Sequence, residues 1–297
     1  MKPIVATGVS PPGARSATKG EHATLACLWE ATAPKPGNVY RGADFDDLTY
    51  ADFVTSAAVI GPILNKTSHN GVGATVLAAV AATRAAVATN TNLGMLLLMA
   101  PLAAAEADRP IVQGVAEVLL TLTVEDAKQV YAAIRLAQPG GLGRVEHVDV
   151  NAAESPEISL REAMALAADR DLVARQYVND FAEVRWTADR IAAALTEQPL
   201  GEAIVRAYLE LLVEHPDSLV ARKCGPAVAA EVSAGAAKVL GAFAHGEDAY
   251  CTYRAEFDFW LRADGHRRNP GTSADLIAAA LFMLLREQRI PWPVRFY

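Results

Sequence analysis

Apolar residues in this chain recur three and four positions apart almost from end to end, while the period-two alternation of β-branched residues that marks strands is nearly absent. Such spacing gathers apolar side chains on one face only if the backbone is helical, so the chain is expected to be all-α. Ala, Leu, Val and Ile carry this spacing, and Ala and Leu favour helix on their own. The pattern predicts helices at about 21–32, 50–64, 73–88, 93–107, 111–121, 124–136, 160–168, 172–181, 187–195, 201–215, 226–244, 247–261 and 274–289. Together they make a single multi-helix globular bundle of roughly a dozen helices. Thr123 and Asp126 carry the spacing of a capping box at one of these starts.

With 297 residues, 52% of them hydrophobic and 21% charged, the chain has enough apolar material for a large core. No linker, repeat or low-complexity tract divides it, so residues 20–297 are expected to form a single all-α catalytic domain. Residues 1–19 hold Pro11-Pro12-Gly13 and no apolar run, and are expected to be a flexible leader. A net charge of −7 excludes the electrostatics of a nucleic-acid binder. Cys27, Cys224 and Cys251 are far apart and form no CxxC, which fits a reducing cytoplasmic setting.

The apolar run from Leu93 to Ala105 is only about 13 residues long, the length of a buried core helix and not of a membrane span. It is expected to be the central helix, with no membrane involved. Tyr250, Tyr253, Phe257, Trp260 and Leu261 form an aromatic stripe at helical spacing. Core packing explains it, and a homo-oligomer interface remains open.

Chemistry is expected where polar segments interrupt the helices. One is Glu30 to Asp47, with Pro34-Lys35-Pro36-Gly37-Asn38-Val39 followed by Arg41, Asp44, Asp46 and Asp47. Two prolines stiffen the backbone around Lys35, whose ammonium is a point charge suited to phosphate. Three aspartates within four positions repel one another, and a hard divalent cation would relieve them. A second pair of breaks, His69 to Gly73 and Asn90-Thr91-Asn92-Leu93-Gly94, brackets one helix. By helical rise they lie about 25 Å apart, so only one of them can meet a given phosphate.

A third break, Gly140-Gly141-Leu142-Gly143 with Glu146, His147 and Asp149 and later Asp169 and Asp171, lacks the strand and helix of a dinucleotide fingerprint. The fourth runs His215-Pro216-Asp217-Ser218 to Arg222-Lys223-Cys224-Gly225 and sets two adjacent cations and an acid between helices, which suits a phosphate-bearing ligand, an exposed connector being the plain alternative. Last comes Asn269-Pro270-Gly271-Thr272-Ser273-Ala274-Asp275-Leu276, directly before an apolar helix. It has the form of an anion cradle at a helix start, although Thr272 and Asp275 also have capping-box spacing. No GxSxG or HExxH occurs, leaving acid, amide and phosphate chemistry.

Glu30 with the Pro34–Val39 motif, the Asp44–Asp47 cluster, Asn90 to Gly94, Asp217 to Gly225 and Asn269 to Leu276 together resemble, in order, the triphosphoribosyl-dephospho-CoA synthase family. The resemblance implies an all-α transferase that moves the triphosphoribosyl group of ATP to dephospho-CoA and displaces adenine, with Mg²⁺ on the phosphates. It places Asp44, Asp46 and Asp47 at the metal, and Lys35, Asn38, Arg41, Asn92, Arg222, Asn269, Thr272 and Ser273 at phosphate or nucleotide. Glu30 or Asp275 would be the base. On this reading Asp46→Asn abolishes Mg²⁺-dependent turnover.

Better-known members have Asn-Thr-His-Lys-Gly where this chain has Asn90-Thr91-Asn92-Leu93-Gly94, a cationic pair replaced by an amide and an aliphatic group. Phosphoribosyl transfer to another cofactor precursor, such as a tetrahydromethanopterin-type pterin, and nucleotide binding without turnover are the alternative readings.

Overall fold

A computed structural model of the chain describes residues 17–106, 109–139 and 156–297. The first part of the expected leader and the glycine segment Gly140–Gly143, with Glu146, His147 and Asp149, lie outside these. Among the described residues there are fifteen α-helices. They are α1 Lys19–Thr32, α2 Tyr50–Leu64, α3 Thr67–Asn70, α4 Val72–Val87, α5 Leu93–Ala104, α6 Ile111–Leu120, α7 Val124–Ala137, α8 Leu160–Ala165, α9 Leu172–Gln176, α10 Ala182–Ala194, α11 Leu200–Glu214, α12 Ser218–Cys224, α13 Pro226–Gly241, α14 Glu247–Arg262 and α15 Gly271–Arg286.

The all-α expectation holds, and every helix expected from the periodicity is present. Capping boxes start α1, α2, α7 and α8, with Thr123 and Asp126 in place at α7. Two helices form where connectors were expected, α3 and α12. The second is the more instructive, because its punctuation is in the chain. Asp217 Oδ1 accepts the N–H groups of Leu219 and Val220 at 2.9 and 3.0 Å, and Gly225 ends the helix at φ +93°, a conformation that other residues adopt at a cost.

The core is built around α5 and α15. Ten of the twelve residues of α5 are buried, so the apolar run is the expected core helix. Thirteen of the sixteen residues of α15 are buried, and it packs on α1, α10, α5 and α11. Each Leu, Ile, Phe or Met buried there contributes roughly 1.5–3 kcal/mol before the entropy of ordering is subtracted. Tyr250, Phe257 and Leu261 of the aromatic stripe join this core, while Tyr253 stays largely exposed. The stretch Pro226–His245 is long and apolar enough to cross a bilayer by length and composition alone; in the fold α13 packs on α11, α12 and α14.

The starts of α5 and α15 and the end of α1 meet at one side of this core. That junction positions the site.

Candidate active site

A cavity of about 900 Å³ opens between α1, α4, α5, α7, α8, α12 and α15, within the size range of sites that enclose small molecules. Its polar part is lined by Glu30, Asn38, Asn90, Asn92, Asn269, Thr272 and Asp275. Two carboxylates in it are held differently. Glu30, on the last turn of α1, is buried; its Oε1 pairs with Lys35 Nζ at 2.8 Å, while Oε2 has no hydrogen-bond partner. Burial raises its pKa, and the Lys35 ammonium opposes the rise.

Asp275 lies over the first turn of α5 and stays partly accessible from the cavity. A Cβ on Gly94 would fall 2.0 Å from Asp275 Oδ2, so only glycine admits the carboxylate there. Loss of water, compounded by the neighbouring charges of Glu30, Asp217 and Asp171, pushes its pKa well above the ordinary carboxylate value; the Met95 N–H opposes this.

The anion cradle at the start of α15 is real, but the protein fills it with its own carboxylate. Asp217 Oδ2 accepts the Ser273 N–H at 2.7 Å and the Ser273 hydroxyl at 2.8 Å, while Oδ1 caps α12. Asp217 is fully buried. Ser273 is therefore spent inside the protein and does not line the cavity. Thr272 lines it, with its hydroxyl accepting from Ser218 at 3.1 Å. The capping-box reading of Thr272 and Asp275 is overturned as well: the helix starts at Gly271 without a side-chain cap, and Asp275 belongs to the start of α5.

The lysine of the Pro-Lys-Pro loop faces away from the cavity. Lys35 is fully buried and donates to the carbonyls of Glu30 and of Ala33 besides its ion pair, which uses all three ammonium hydrogens on the C-terminal end of α1. No donor is left for a phosphate. The loop is anchored by Tyr208, whose hydroxyl donates to Pro36 O at 2.9 Å, and by Asp258, which accepts the Gly37 N–H at 2.7 Å. Asn38 Nδ2 donates to Asn269 Oδ1, and Asn38 Oδ1 is buried without a partner. Asn92 donates to Thr83 Oγ1 at 3.1 Å.

The three aspartates are not brought together as a metal centre. Asp44 accepts the Tyr50 N–H at 2.6 Å, Asp47 lies 3.1 Å from His266 Nδ1, and all three are exposed. Among the described residues no three His, Cys, Asp or Glu side chains converge on a point that a metal ion could occupy. Two isolated antiparallel bridges, Tyr40 with Ala43 and Phe45 with Leu48, run through this loop. These aspartates line a separate, shallower recess of about 530 Å³, and only Asp47 also reaches the main cavity. Arg41 is exposed and lines neither.

Cationic groups do line the main cavity: Arg84, Arg170, Arg222 and Lys223. Arg222 pairs with Asp171 at 2.6 Å. Burial and the adjacent Arg222 draw the Lys223 ammonium below its ordinary pKa. Arg84 and Arg170 carried no signal in the sequence beyond standing near the ends of helices before polar breaks. His69 and its neighbours are absent from the lining, whereas Asn90 to Gly94 belong to it.

Comparisons with known proteins give the family. The family model for ATP:dephospho-CoA triphosphoribosyl transferase matches residues 16–294. A solved structure from Archaeoglobus fulgidus, provisionally named triphosphoribosyl-dephospho-CoA synthase, is 28% identical and superposes with a TM-score of 0.63, covering 78% of this chain and 97% of its own. No curated protein sequence matches the chain. By the extent of the family match, this chain belongs to the ATP:dephospho-CoA triphosphoribosyl transferase family.

Proposed function

We propose that the chain transfers the triphosphoribosyl group of ATP to a hydroxyl of dephospho-CoA in the cavity described above, releasing adenine. Family membership supplies the reaction class. The observation that carries the site assignment is that Glu30 and Asp275 line one cavity, both raised in pKa by burial, but only Glu30 is ion-paired to a lysine, a difference by which two carboxyl groups can divide acid and base roles.

In the transfer, the bond between the ribose anomeric carbon and adenine breaks and a bond to the acceptor oxygen forms. Glu30, ion-paired with Lys35 at Oε1, has Oε2 free to accept the acceptor hydroxyl proton. Asp275, whose pKa is raised by burial and the neighbouring carboxylates, gives its proton to the departing adenine. The two groups interact, so they titrate as a pair, and the proton taken by Glu30 restores Asp275 for the next cycle. Positive charge developing on the ribose is stabilised by the same two carboxylates.

Arg84, Arg222 and Lys223, with the amide of Asn92, hold the triphosphate. Arg84 follows Thr83, the partner of Asn92, and so brings a cation close to the motif in which the family's cationic pair is missing. The three aspartates of the 40–48 loop do not fit a resident metal, so Mg²⁺ enters with the nucleotide as part of the substrate. The domain expected over residues 20–297 and its cytoplasmic setting belong to the same reading.

Incubating the protein with ATP, Mg²⁺ and dephospho-CoA tests it directly. Adenine and triphosphoribosylated product in equal amounts are expected. Absence of adenine with this acceptor, together with product formation from phosphoribosyl pyrophosphate and another acceptor, would overturn it.

A further inference from the structure

The chemistry above uses the polar half of the cavity and leaves the other half without a role. That half is lined by Ile134 of α7, Ala163 and Met164 of α8, Leu166 and Ala167 just beyond it, and Val173 of α9. A triphosphate or a sugar gains nothing from such a wall. The wall is also firmly placed: α7 and α8 each start in a capping box, and the Leu160 N–H donates to Thr123 O at 3.1 Å, tying the two helix starts together.

The two halves are joined by a continuous set of contacts. Asp217 caps both α12 and the first turn of α15, and the Leu172 N–H donates to Ser218 Oγ at 3.2 Å. From α12, Arg222 reaches Asp171, which is preceded by Arg170; the Arg170 guanidinium donates to Leu166 O at 3.0 Å. Along this path the lining changes from carboxylates, through cations, to aliphatic groups. Dephospho-CoA has the same order of chemistry: a ribose with hydroxyls, a diphosphate, and a long arm of methylenes and amides ending in a thiol.

We infer that the apolar end formed by α7, α8 and α9 binds the pantetheine arm of the acceptor, with Arg170 meeting its diphosphate. The inference rests on the reading under Proposed function and adds the acceptor's orientation. Burying the methylenes of such an arm against Met164 and Ile134 contributes affinity without touching the reacting atoms, so its loss is read in KM for one substrate only.

Two variants test it, Ala163→Phe, which fills the end, and Met164→Gln, which makes it polar with little change in volume. Each is expected to raise KM for dephospho-CoA about tenfold, the order of effect of a misfit in an apolar pocket, while KM for ATP and kcat stay within about twofold. A calorimetric titration of the unmodified protein with 4′-phosphopantetheine needs no turnover; binding is expected, weakened about tenfold in both variants. Unchanged KM for dephospho-CoA in both variants, an equal rise in KM for ATP, or no binding of 4′-phosphopantetheine overturns the inference. An unmodified protein that binds 4′-phosphopantetheine but makes no adenine would instead sink the reaction and leave the subsite standing.

Discussion

Two helix starts in this molecule are each met by an internal carboxylate, and they serve different ends. At α15 the anion is Asp217, which is fully buried, accepts two N–H groups from α12, and accepts both an N–H and a hydroxyl from Ser273. At α5 the group is Asp275, which faces the cavity, has the Met95 N–H as the group opposing its raised pKa, and stands among other carboxylates. Helix-start electrostatics is the same in both places. What differs is how many donors share the charge and whether substrate can reach it. A carboxylate with four donors is a structural bolt, and one with fewer donors and an open side is available for proton transfer.

The comparison breaks first at Asp217. Asp217→Ala removes two N-caps of about 1–2 kcal/mol each, so a loss of about 2–4 kcal/mol is expected in denaturant melts, with kcat of the folded fraction little changed. A large fall in kcat without loss of stability would make Asp217 the chemical group. Gly94→Ala comes next: its methyl would displace Asp275, and an approximately hundredfold fall in kcat is expected in steady-state assays, while the purified variant remains folded.

Asp275→Asn sharpens the contrast in stability. Because its pKa is raised, the folded state holds a proton that the unfolded chain has released, and stability is lost as pH rises from about 3.9, the unfolded value, through the folded one. The asparagine variant escapes that loss. At pH 8 it should be more stable by an amount on the order of 1 kcal/mol, or about 2–4 °C in melting temperature, and the two melting curves should converge in acid. The smallest effect belongs to Asp46→Asn. Exposed and outside the main cavity, it should leave stability within about 0.5 kcal/mol and turnover unchanged. Loss of Mg²⁺-dependent turnover in that variant would restore the aspartate cluster to the mechanism.

Much of the scaffold was legible because long helices advertise themselves through apolar spacing, and α2 begins and ends at the residues the pattern predicts. The short α12 was not, since seven residues carry too little periodicity, although Asp217 before it and Gly225 after it are the right punctuation. At the site, Glu30, Asn38, Asn92, Arg222, Asn269, Thr272 and Asp275, singled out from residue type and motif, line the cavity. Lys35 and Ser273 were misread for one physical reason: their partners come from elsewhere in the fold. Local spacing cannot show that Asp217, 56 positions away, fills the start of α15, nor that Lys35 turns back onto the end of α1. Thr272 and Asp275 have the same spacing as the working capping box of Thr123 and Asp126, and tertiary packing decides between them. Arg84 and Arg170 look like ordinary solvent-facing residues until the fold turns them toward one cavity.

The central claim is that Asp275 works on the substrate and Asp217 does not. Adenine release from ATP in the presence of Mg²⁺ and dephospho-CoA, followed for the unmodified protein and for Asp275→Asn, tests it most directly. The account predicts release by the unmodified protein and a fall of about 10²–10⁴-fold in the variant, at the same or greater thermal stability. Release by a folded Asp275→Asn protein at the unmodified rate would contradict it.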